Sequence, residues 1–167
     1  MDQLGGAPMP RRMTFNVMVS LAIATAWALG GCSGPAAEKG LPVDALHDAI
    51  AVSVGDPSTC VLVAERVTGK VVYRYGEAFN CVRGVPACDR LGAMSATQAL
   101  ALASTAGGRA ASCRSNADGS REVGWAEGRA TSKTRDLIYS AMMEGERALP
   151  GHEIAARLDG AFRKAGL

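Results

Sequence analysis

Residues 60–77, CVLVAERVTGKVVYRYGE, constrain the fold of this chain more than any other stretch. Two runs rich in Val and Tyr flank Thr68-Gly69-Lys70, the pattern of an antiparallel β-hairpin. Val61, Leu62 and Val63 are consecutive and apolar, which predicts a first strand covered on both faces and central in its sheet. Tyr73-Arg74-Tyr75 alternates, which suits an edge. Such a hairpin needs further strands beside it and helices against it, because two strands alone are marginal in water.

The following residues supply them. In residues 43–54, Val43, Leu46, Ile50 and Val54 recur at spacings of three and four with Asp44 in the first turn, predicting a short amphipathic helix. Residues 78–94 carry Gly84, Pro86 and Gly92 and are expected to be irregular. Ser95-Ala96-Thr97-Gln98 has the spacing of a capping box, and Gly107-Gly108 closes the Ala/Leu run behind it, so a helix is expected over 96–106. Residues 109–114 and 122–126 read as short strands around the turn Asn116-Ala117-Asp118-Gly119. Residues 136–144, DLIYSAMME, are mostly apolar and are expected mid-sheet. Pro150-Gly151 opens a last helix that lines up Ile154, Leu158, Ala161, Phe162 and Ala165, leaving His152, Glu153, Arg157, Asp159 and Arg163 to water. The order is α-β-β-α-β-β-β-α, and the expected class is α+β: a five-stranded antiparallel sheet with its terminal helices on one face.

The N-terminus reads as an address. Arg11 and Arg12 precede residues 13–29, which carry no charge and lead into Leu29-Gly30-Gly31-Cys32. That is a signal peptide ending in a lipobox, and it resembles the bacterial lipoprotein pattern in which cleavage precedes an acylated Cys32. A permanent span would need about 20 apolar residues. Ser33 after the cysteine, by resemblance to the sorting pattern of enteric bacteria, implies the outer membrane on its periplasmic side. Residues 1–31 are thus expected to be the signal peptide, 32–42 a small, polar, Pro/Gly-punctuated tether, and 43–167 a single domain. The true start is Met1, Met9 or Met13. After the first 31 residues, 16 basic and 15 acidic side chains remain. Such a balance gives no reason to expect nucleic acid as a partner. Arg114, Arg121, Arg129, Lys133 and Arg135 are expected together at one end of the sheet, balanced by Asp118, Glu122, Glu127 and Asp136, with contact to anionic lipid or peptidoglycan as the alternative.

Apart from Cys32 the mature chain holds Cys60, Cys81, Cys88 and Cys113, an even number in a compartment that permits oxidation. Two disulfides are expected, of three possible pairings. Cys60 opens the hairpin and Cys81 lies just past its other end, which favours Cys60 with Cys81 and leaves Cys88 with Cys113. No metal or other cofactor is expected, since zinc and redox sites favour a Cys-x-x-Cys pair that is absent here.

Residues 61–77 are similar to the opening hairpin of class D β-lactamases and related penicillin-binding transpeptidases. Arg83-Gly84-Val85-Pro86-Ala87-Cys88 resembles the run before that family's nucleophile, where Pro-Ala precedes Ser-x-x-Lys, and Val123-Gly124-Trp125-Ala126-Glu127-Gly128 is similar to its Gly-Trp-x-x-Gly strand. The resemblance implies a truncated core that has lost its chemistry. Cys88 stands for the serine, Leu91 for the lysine, Cys113-Arg114-Ser115 for Lys-Thr-Gly, and the helical insert is missing. Leu91 cannot take a nucleophile's proton. A Cys88–Cys113 disulfide would then staple the former pocket shut.

The function expected from these readings is a non-catalytic envelope lipoprotein, a binding or accessory module held at the membrane through Cys32, with a protein or peptidoglycan partner possible. Two alternatives are a penicillin-recognising hydrolase or acyltransferase using Cys88 or an unrecognised serine, and a profilin-like ligand-binding or dimerising sheet. His47, His152 and the Ser132-Lys133 pair are weighed as catalytic groups and read instead as solvated. Trp125, Tyr73 and Tyr75 are read as packing residues.

Overall fold

A computed structural model describes residues 40–105 and 107–167, and the signal peptide, Cys32 and nearly all of the tether lie outside these. The elements are α1 (Val43–Val54), β1 (Cys60–Glu65), β2 (Val71–Tyr75), α2 (Ala78–Val82), β3 (Val85–Pro86), β4 (Ala93–Met94), α3 (Ala96–Ala103), β5 (Arg109–Arg114), β6 (Glu122–Ala130), β7 (Leu137–Gly145) and α4 (Gly151–Ala165). Five strands form one antiparallel sheet in the order β2-β1-β7-β6-β5, and β3 pairs with β4 in a separate two-residue ribbon. The class is α+β.

Hydrophobic continuity decides which strands are central. β7 is buried along its whole length up to Gly145 and lies between β1 and β6. β1 is buried from Cys60 to Ala64 and sits between β2 and β7, while the alternating VVYRY run of β2 takes one edge. The β1–β2 register slips by one residue between Val63 and Ala64, a bulge that twists this edge.

The pleat sends alternate residues into two cores. Val61, Val63, Tyr139, Ala141 and Met143 face α1 and α4, whose Leu46, Ile50, Ile154, Leu158 and Phe162 are all essentially inaccessible. Leu62, Ile138, Met142, Val123 and Trp125 face the other way, toward α3, α2 and the ribbon. Each fully buried side chain of this kind contributes about 1.5–3 kcal/mol. α4 lies close enough to the sheet that Gly124 and Gly151 are required: a Cβ on Gly124 would stand 2.0 Å from the Leu149 carbonyl oxygen, and one on Gly151 2.1 Å from that of Trp125. Gly166, at φ +77°, closes α4 with bonds from its own N–H to Arg163 and from Leu167 to Phe162.

Three local expectations change. Residues 78–94 are not irregular throughout, since they fold a five-residue helix and the β3–β4 ribbon. Gly84 and Gly92 mark the turns between these pieces, while Pro86 lies within β3. α3 ends at Ala103, short of 106. β6 runs four residues past 126, through Glu127, Gly128 and Arg129, because β7 pairs with it along that length.

Candidate functional site

The site the sequence nominates lies on the α3 side of the sheet, where residues 85–94 cross β5 and β6 as a strap. Four attachments hold it. Cys88 is joined to Cys113 of β5, with a Cα–Cα distance of 5.4 Å. The indole N–H of Trp125 donates to the Pro86 carbonyl at 2.8 Å, satisfying the one polar atom of a side chain that is otherwise fully buried. Arg109 of β5 donates to both carboxylate oxygens of Asp89 and to the Ala87 carbonyl. Its third nitrogen pairs with Glu127 of β6. Cys88 adopts φ +69°, the only residue other than glycine with a positive φ among the described residues, so the chain turns back sharply at the attachment itself.

Glu127 explains why Arg109 stands where it does. Its side chain is 1% exposed and lies directly across the β5–β6 ladder from Arg109. Burial raises its pKa, with Arg109 pulling the other way. Asp89, at the solvent side of the same guanidinium, is held well below the ordinary carboxylate range by Arg109 and, less strongly, by Arg90. The guanidinium also lies 6.0 Å from the centre of the Trp125 ring.

The N-terminus of α3 closes the other side of this face. Ser95 caps the helix by accepting from the Gln98 N–H, and Gln98 accepts from the Ser95 N–H, completing the capping box. Ser140 of β7, fully buried, donates to the Ala96 carbonyl at 2.7 Å. Ser95 thus occupies a helix start with Gln98 three positions on. An amide cannot take the proton a serine must lose.

The remaining nominated residues are dispersed. Cys60–Cys81, Cα–Cα 5.2 Å, is buried and ties the start of β1 to α2. Leu91 is wholly exposed at the tip of the strap. His152 is on the exposed face of α4, and Ser132 caps a turn by accepting from the Arg135 N–H. Trp125 and Tyr73 are core residues. Tyr75 is not, since its ring tilts against His47 at 5.2 Å and the two line a shallow groove of about 580 Å³ with Asp56, Arg74 and Glu77.

The five cations expected at one end of the sheet are divided between both ends. Arg114 and Arg121 flank the β5–β6 turn, where Arg121 and Arg83 pair with Glu144 and Ser115 donates to it. These donors, Arg121 foremost, hold the Glu144 carboxyl down at about 2. Arg129 near the end of β6, and Lys133 and Arg135 in the β6–β7 loop, lie at the opposite end, because β6 spans the full length of the sheet between the two groups. Among the described residues there is no cluster of three potential metal ligands, and no helix long and apolar enough to cross a membrane.

No protein-family model, curated protein or solved structure matches this chain.

Proposed function

We infer that this chain is a non-catalytic envelope lipoprotein, anchored through Cys32, whose disulfide-braced α+β domain serves as a binding or accessory module on the periplasmic side of the outer membrane. One observation carries the non-catalytic part. The sulfur that the β-lactamase-like resemblance aligns with a nucleophile is consumed in the Cys88–Cys113 bond, and the strap around it is locked by Arg109 and Trp125 over the face where a substrate would lie. Acyl transfer needs a nucleophile and a neighbouring base. Here the thiol is cross-linked, and the serine nearest in sequence, Ser95, is engaged in a helix cap with Gln98. The two disulfides favour an oxidising, exported setting. The lipobox supplies the anchor.

The test is incubation of the full chain with a fluorescent penicillin, followed by thiol titration under denaturing, non-reducing conditions. The reading expects no boiling-resistant label and no free thiol in the mature protein. A covalent label that disappears in Ser95→Ala, or a reactive Cys88, overturns it in favour of a penicillin-recognising acyltransferase.

A further inference from the structure

We propose that the end of the sheet formed by the β1–β2 turn and the β6–β7 loop is the surface this domain lays against anionic lipid headgroups, a reading that rests on the lipid anchor proposed above. The two segments form one unit. The Arg66 N–H donates to the Asp136 carbonyl, Arg66 and Arg129 both pair with the Asp136 carboxylate, and Arg135 pairs with Glu65. Together, residues 65–70 and 129–136 hold five cations (Arg66, Lys70, Arg129, Lys133, Arg135) against two acids, Glu65 and Asp136. The other described residues hold ten basic and twelve acidic side chains, so the domain is polarised, positive at this end and negative elsewhere. The nearest acid from another element, Asp159 of α4, accepts from Thr131 and is matched by Arg163.

Shape and connectivity agree with the charge. Val67 is 82% exposed at the tip of the β1–β2 turn, an apolar point among cations of the kind that seats in a headgroup layer. The Arg129 side chain, near the end of β6 and sharing Asp136 with Arg66, is 70% exposed. α4 descends from Gly151, against Trp125, to Asp159 at the β6–β7 loop, and α1 rises alongside it to Ser53, whose carbonyl accepts from Arg157. α1 therefore runs antiparallel to α4, with its beginning directed toward the positive end. Seven residues, eight Cα–Cα steps, separate Gly40 from Cys32, a reach of at most about 28 Å, so an acylated Cys32 would hold this end of the domain near the bilayer.

A cation close to an anionic surface improves partitioning roughly fivefold, within a Debye length of the lipid. The full chain is mixed with vesicles of phosphatidylcholine alone or of phosphatidylcholine with phosphatidylglycerol. Flotation reports the anchor, and the rate of tryptic cleavage within residues 129–135 reports docking. Cleavage in the β5–β6 turn, at the opposite end, serves as internal control for folding. The expected result is flotation with both vesicle types, with cleavage of the β6–β7 loop slowed roughly tenfold or more on the anionic vesicles only. High salt or Lys133→Glu should abolish the protection while leaving flotation and the control cleavage unchanged. Equal loop cleavage on the two vesicle types overturns the docking proposal, whatever the flotation shows. Failure to float with neutral vesicles overturns the anchor alone, because anionic-specific protection at excess lipid would still support docking.

Discussion

Replacing Arg109 with Met removes the guanidinium while keeping most of its aliphatic bulk; it strips the strap of its bonds to Asp89 and Ala87 and leaves the charge buried beneath it unpaired. Glu127 would remain with its side chain 1% exposed and its paired cation gone, leaving only the weaker pull of Arg90. Breaking a buried pair from one side costs about 3–5 kcal/mol. The carboxyl can escape by taking a proton, which gives the loss a pH signature. Without Arg109 the folded-state pKa of Glu127 lies further above its unfolded value of 4.5, since burial already raises it in the native protein. A raised carboxyl pKa means that the native state binds the extra proton. The destabilisation is therefore small below pH 4.5 and grows as pH rises, by at most about 1.4 kcal/mol per pH unit. Over the three units to pH 7.5 this allows about 4 kcal/mol, which agrees with the cost of a broken pair. Urea unfolding of Arg109→Met against the native chain at pH 4, 6 and 7.5, followed by far-ultraviolet circular dichroism, should show a deficit of about 3–5 kcal/mol at pH 7.5 shrinking to about 1 at pH 4. Adding Glu127→Gln should recover most of the loss at pH 7.5. A deficit that is equal at all three pH values, or a double variant no better than the single, would refute the assignment of Arg109 as the counter-charge of Glu127.

Other outcomes follow from the same geometry. Under dithiothreitol in native buffer, Cys88–Cys113, which is half-buried, should be reduced before the buried Cys60–Cys81; alkylation and peptide mass analysis read the order, and simultaneous opening would contradict it. Cys88→Ser with Cys113→Ser, closing a sequence separation of 25, should lower unfolding free energy by about 3.5 kcal/mol on the chain-entropy model, and a loss below about 1 would show that the denatured chain is not what the bond constrains. Gly124→Ala should cost about 3 kcal/mol or prevent folding, since its Cβ meets a backbone oxygen. Gly160→Ala, into open space on α4, should stabilise by about 0.8 kcal/mol in thermal melts. Glu144, whose pKa is lowered to about 2, contributes stability that is present above its unfolded value of 4.5 and lost as pH falls toward 2; an acid titration of Glu144→Gln should lack that part of the slope.

The sheet was legible where one physical signal dominated. DLIYSAMME reads as central because an unbroken apolar run must be covered on both faces, and VVYRY reads as an edge because it alternates. The helix 43–54 announced itself by spacing, and α3 by its capping box. What stayed hidden depends on partners distant in sequence. The ribbon around Val85 and Met94 is held by Arg109 and Trp125, which no local window includes. The extension of β6 through Glu127 looks unfavourable until Arg109, eighteen residues earlier, is placed across from it. Nearness in sequence groups the basic residues, whereas the length of β6 holds Arg121, just before it, and Arg129, near its end, at opposite ends of the sheet.

The position of β7 sets a timetable for the nascent chain. Leu137–Gly145 is the wedge between β1 and β6, so as the chain emerges N-terminus first the hairpin made first can find its only strand partner on that side after some 60 further residues have appeared. Until then Cys60 and Cys81 can already meet within the hairpin and its following helix, but the sheet has no middle. The domain is thus assembled by its penultimate element, and a chain interrupted before residue 137 leaves two unpaired edges, one on each half.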